Sequence, residues 1–141
     1  MLRRMAAAAV ALLSLAVLTV AVAPPASASV QWTCFGYTGT FADYRSDGRP
    51  TFARYSWAVG GDNCVGISPG RQIWIASSGR PWATIPGNGL ADAVWYGDEA
   101  SVRNVYFHTF RVWVAATGNY YCQTWSSDSG WDGYWWHCAA S

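Results

Sequence analysis

The chain has 141 residues, with nine Arg, no Lys and eight acidic residues, a formal net charge of +1. Scattered Arg at near-zero net charge excludes nucleic-acid binding by charge, because phosphate recognition needs a dense positive face. Four cysteines and ten tryptophans in so short a chain point instead to an aromatic-rich, disulfide-held domain.

Met1-Leu2-Arg3-Arg4 is a short positive leader, and Ala6 to Val22 is an apolar run of 17 residues, at the lower limit for spanning a bilayer. Pro24-Pro25 ends it, and Ala26-Ser27-Ala28 is a small-x-small cleavage site. Residues 1–28 therefore read as a signal peptide, with no membrane anchor after cleavage. Residues 29–141 read as a single secreted domain. Loss of Arg3 and Arg4 leaves seven Arg against eight acidic residues, so the mature charge is −1.

No sustained helical period follows. Short β-branched and aromatic runs alternate with Gly, Pro, Asn, Asp and Ser clusters, which predicts strands at Trp32–Tyr37, Thr51–Val59, Gln72–Ala76, Trp82–Ile85, Ala93–Tyr96, Val102–Val114, Tyr120–Trp125 and Tyr134–Cys138. Asp92 to Ser101 is left open to one helical turn. The expected fold class is all-β: a small disulfide-bonded antiparallel sandwich or barrel of seven or eight short strands. Gly-Arg-Pro occurs twice, at Gly48-Arg49-Pro50 and Gly79-Arg80-Pro81, each time as a turn.

An even cysteine count in an exported chain reads as disulfides, and the absence of Cys-x-x-Cys argues against redox catalysis and thiolate zinc binding. Local pairing, Cys34–Cys64 with Cys122–Cys138, is preferred. If Cys122 faces Cys138, the hairpin midpoint is Gly130, within Ser126-Ser127-Asp128-Ser129-Gly130. Trp125 then opposes Trp135, and Gln123 opposes His137. A second pairing, Cys64–Cys122, follows from a local likeness. Gly118-Asn119-Tyr120-Tyr121-Cys122, with Trp74 ten residues after Cys64, resembles the strand F region of an immunoglobulin domain. It leaves Cys34 and Cys138 at opposite ends.

Gly66-Ile67-Ser68-Pro69-Gly70 matches Gly-x-Ser-x-Gly, but no helical pattern follows it and 113 residues cannot build the hydrolase sheet that motif serves. His108 lies mid-strand on the face of Tyr106, Phe110 and Val112. His137 adjoins Trp135 and Trp136. Neither histidine has a sequence-local partner to orient it as a base. Glu99 is the only Glu, with Asp98 beside it on an expected loop. Asp62, Asp92, Asp128 and Asp132 read as turn residues. No catalytic residue, cofactor or metal is assigned.

The surplus of indoles remains. Trp57, Trp74, Trp82, Trp95 and Trp113 are expected in the core. Trp125, Trp131, Trp135 and Trp136, with His137, are expected to be exposed as a ligand-binding surface, because they crowd one hairpin. The leading expectation is a non-catalytic cell-surface protein that binds wall or extracellular polysaccharide, with self-association through the same rings. Two alternatives stand beside it. One is a hydrolase inhibitor: Arg54-Tyr55 is similar to the Trp-Arg-Tyr of small bacterial α-amylase inhibitors, with Ala53 in place of the Trp. The other is a small secreted enzyme or toxin using His108 or His137.

Overall fold

The computed structural model describes residues 28–58, 61–95 and 97–140. The expected signal segment lies outside them but for Ala28, as do Val59, Gly60, Tyr96 and Ser141. Every regular element described is a strand: β1 (Ser29–Cys34), β2 (Tyr37–Ala42), β3 (Phe52–Ser56), β4 (Asp62–Ile67), β5 (Ile73–Ser77) and β6 (Arg80–Thr84), followed by β7 (Ala93–Val94), β8 (Asp98–Val102), β9 (Val105–Val114), β10 (Asn119–Ser126), β11 (Gly130–Trp131) and β12 (Trp136–Cys138). All pairings between them are antiparallel. The expected all-β class therefore holds, with more and shorter strands than foreseen.

Three sheets form: the β1–β2 hairpin, the meander β3-β4-β5-β6, and a six-stranded sheet centred on β9 and β10. In the last, β7 and β8 follow one another along β9, while β11 and β12 follow one another along β10. Val65, Ile67 and Ile73 of the meander meet Val94, Phe110 and Val112 of the larger sheet in one apolar cluster. Burying such side chains is worth roughly 1.5–3 kcal/mol each, the main driving force available to a chain this small.

Strand β4 is buried on both faces. Val65 and Ile67 enter the shared cluster. Cys64 and Gly66 alternate with them and meet the β1–β2 hairpin, Cys64 through its disulfide to Cys34 and Gly66 through the ring of Phe41. The second disulfide joins Cys122 to Cys138 within the larger sheet. Two intramolecular disulfides are compatible with an extracellular location. The Cys64–Cys122 alternative is not the one formed.

Four expectations about elements need correction. The run Trp32–Tyr37 is not one strand, because Phe35 (φ 53°) and Gly36 (φ 83°) make a two-residue left-handed turn between β1 and β2. Val102–Val114 is likewise divided by Arg103 (φ 50°) and Asn104 (φ 65°). Among the described residues Asp92 to Ser101 holds no helical turn; its second half falls in β8, so Asp98 and Glu99 stand on a strand and not in a loop. In the C-terminal hairpin, Cys122 pairs with Trp136 and Tyr120 with Cys138, two residues out of the expected register, so the disulfide runs diagonally. Trp125 pairs with Trp131 instead of Trp135. The extra residues are taken up between β11 and β12, where Gly133 adopts φ 81° and the Asp132 N–H bonds back to the Thr124 carbonyl at 3.0 Å.

Candidate functional site

Between the meander and the larger sheet lies a cleft of about 410 Å³. Its floor comes from β9, where a period-two pattern sends His108, Phe110 and Val112 to one face. The register then sets Glu99 of β8, His108 of β9 and Trp125 of β10 in one row across three strands. Paired residues share a face, so this row points toward the meander. Trp131, opposite Trp125, extends the aromatic wall and packs on Phe110 at 5.2 Å between ring centroids.

The facing wall mixes polar groups with the apolar side chains of Ile75, Pro81 and Ala83. Asp62 and Asn63 of β4, Ser77 of β5 and Arg80 and Thr84 of β6 line it. The Ser77 hydroxyl donates to Asn63 Oδ1 at 2.7 Å, and no acceptor for the Asn63 NH2 group occurs among the described residues. Arg54 donates to Asp62 Oδ2 through both Nε and Nη2, and its guanidinium also lies 5.1 Å over the Phe35 ring. The Arg54 hydrogen bonds hold the Asp62 carboxyl below the usual carboxylate range, with a smaller contribution from Ser56. A depressed carboxyl pKa contributes stability that is present above the ordinary value and lost as pH falls through the lowered one. The pair is therefore intact from neutral pH down to the ordinary carboxylate range. Arg54→Gln is expected to raise the Asp62 midpoint in a carboxyl NMR titration while leaving its charge at neutral pH unchanged.

His108 is only 3% exposed and belongs to an aromatic layer. Its ring stacks on Trp57, 4.5 Å away at an interplanar angle of 7°, and lies 5.4 Å from Trp125. Glu99 Oε2 accepts the Ala58 backbone N–H at 3.0 Å, tying the end of the Trp57 segment to β8. Outside the cleft, burial pushes the Tyr55 phenol well above its usual range, and its hydroxyl donates to the Trp95 carbonyl. Both Asp128 and Asp132 spend their carboxylates on the hairpin, accepting from Ser126 Oγ and the Thr124 N–H. Ser68, the serine of Gly-x-Ser-x-Gly, accepts from the Gln72 N–H in the β4–β5 turn, with no helix behind it.

The expected surface of four Trp and a His is divided. Trp125 and Trp131 line the cleft. Trp135 lies across the Gly87–Gly89 loop, beside a second hollow of about 280 Å³ shared with Leu90 and Tyr121. Trp136 stands 5.8 Å from the exposed Tyr134, and His137 is exposed beside Tyr121. None of the four Trp is fully exposed, since Trp125, Trp131 and Trp135 pack on the apolar cluster. Of the five expected in the core, only Trp113 is buried, 8% exposed beneath the guanidinium groups of Arg45 and Arg49, with Arg49 4.0 Å from the ring centroid. The polar half of the cleft was not foreseen. Asp62, Asn63 and Arg80 sit in Gly-rich runs that read as turns, and no strand is expected at Asp62–Ile67, so the sequence offers no signal that sets Asp62 beside Arg54. Comparison with protein-family models, with curated proteins and with solved structures finds no match for this chain.

Proposed function

We propose that this chain is an exported, non-catalytic β-sandwich that binds wall or extracellular polysaccharide in the cleft between its two larger sheets. The observation that carries this reading is the pairing of Trp125 and Trp131 along one wall with Asp62, Asn63 and Ser77 along the other. A pyranose ring has apolar faces and a polar rim. Indoles take the former, and fixed amide, hydroxyl and carboxylate groups take the latter. The role of His108 in this reading is structural, as a stacked member of the aromatic floor.

The site differs from a bare aromatic surface in its expected behaviour. Trp125→Ala is expected to weaken binding about 30-fold, the equivalent of about 2 kcal/mol for loss of an aromatic anchor. Trp136→Ala, outside the cleft, is expected to change it little. The check is co-sedimentation of the mature protein with isolated cell wall and with insoluble polysaccharides, on variants shown to be folded by near-UV circular dichroism. Pelleting that survives Trp125→Ala but not Trp136→Ala would move the site to the outer face of the hairpin. No pelleting at all would remove the reading.

A further inference from the structure

Among the described residues the Arg side chains are almost fully committed. Arg45 and Arg49 pair with Asp47, Arg54 with Asp62, Arg71 with Asp92 and Arg111 with Asp98. The exceptions are Arg103, exposed in the β8–β9 turn, and Arg80, which lines the cleft. Arg80 enters from the Gly79-Arg80 end of β6, in register with Ser77, and has no carboxylate partner among the described residues. The other charged side chain of the cleft wall is Asp62, already neutralised by Arg54. The cleft therefore presents one uncompensated guanidinium beside two indoles and the free NH2 of Asn63.

We infer that the cleft selects saccharides bearing a carboxylate, with Arg80 as the group that recognises it. This rests on the polysaccharide reading above and specifies its ligand. A guanidinium forms two parallel, charge-assisted N–H···O bonds to a carboxylate, which are stronger than those it makes to the hydroxyls of a neutral sugar. The Asn63 NH2 donates to ring hydroxyls or to the same carboxylate, and Trp125 and Trp131 stack on the sugar faces. Among the described residues that line the cleft the one carboxylate is that of Asp62, paired with Arg54, while Glu99 stands in the row of His108 and Trp125 without lining it, so selectivity arises without a basic patch and at a mature net charge of −1.

The experiment compares pentagalacturonic acid with its methyl ester, which keeps the sugar and removes the charge. Titration calorimetry of the mature wild-type protein is expected to show the acid binding about tenfold or more tighter than the ester at low salt, as for a charge-assisted hydrogen bond. That preference should shrink near 1 M salt, where the Debye length is about 3 Å. Arg80→Gln should bring the acid down to the affinity of the ester, while Arg103→Gln keeps the preference. Equal affinities for acid and ester in the wild type, or a preference that survives Arg80→Gln, would overturn the carboxylate inference and leave the polysaccharide reading standing. Absence of binding to both probes, with no pelleting on cell wall, would overturn the two together.

Discussion

Phe41→Ala is expected to lower the unfolding free energy by about 3–5 kcal/mol, the cost of deleting a large ring from a well-packed site. Phe41 is 2% exposed and lies 4.6 Å from Trp82 and 6.1 Å from Trp32 between ring centroids. It is the residue through which β2 grips the outer face of the meander. Two glycines make room for it. A Cβ added at Gly66 would stand 2.4 Å from the Phe41 ring, and one at Gly39 would stand 2.6 Å from it. Gly66→Ala should therefore also destabilise, because the ring is held by Trp82, whose Nε1 donates to the Tyr37 carbonyl at 2.9 Å. The two substitutions share one contact, so the double variant should lose less than the summed singles, and urea denaturation of the four proteins measures that coupling. A loss below about 1 kcal/mol for Phe41→Ala would mean that the hairpin contributes little to the folded state.

How far the chain can be read without coordinates depends on what marks each strand. Val105–Val114 and Asn119–Ser126 are long, rich in β-branched and aromatic residues and separated by Thr117-Gly118, so their residues are legible to within a few positions. Tyr37–Ala42 and Asp98–Val102 are not, because the turns that release them use Phe35-Gly36 and Arg103-Asn104. A left-handed backbone at Phe or Arg carries no sequence mark. Asp62–Ile67 is hidden for another reason. A strand buried on both faces does not alternate, and its hairpin-facing positions are a cysteine and a glycine that leave space for Phe41.

The candidate site follows the same division. Its aromatic half lies on legible strands, though a two-residue error of register in the C-terminal hairpin exchanges Trp131 for Trp135 as the neighbour of Trp125. The polar half lies on β4 and at the start of β6, where Asp, Asn, Gly and Pro dominate. The two Gly-Arg-Pro turns show how little local sequence decides. Arg49 covers Trp113 and pairs with Asp47, whereas Arg80 lines the cleft.

The second large effect concerns Cys34–Cys64. Removing it with Cys34→Ala/Cys64→Ala frees a loop spanning 30 residues and is expected to cost about 3–4 kcal/mol in the chain-entropy description. Cys122–Cys138 closes a shorter span of 16 residues and should cost about 3 kcal/mol. The totals are close, but the consequences should differ in place. Cys122–Cys138 crosses strands that remain hydrogen-bonded to each other, so its loss weakens the larger sheet as a unit. Cys34–Cys64 ties one sheet to another, and without it the β1–β2 hairpin is held to the meander by non-covalent contacts alone: Phe41 and Trp32 against Trp82, Trp32 on Phe52, and Arg54 over Phe35. The expected result is local undocking: trypsin should cut the Cys34→Ala/Cys64→Ala protein after Arg45, the cleavable Arg of this segment because Arg49 precedes Pro50, while residues from β4 onward stay protected. In the Cys122→Ala/Cys138→Ala protein, cleavage should appear only with global unfolding. Early cleavage at Arg45 in both variants would show that the hairpin does not open as a separate unit, and that Phe41 and the disulfide belong to the same cooperative core as Val65 and Phe110.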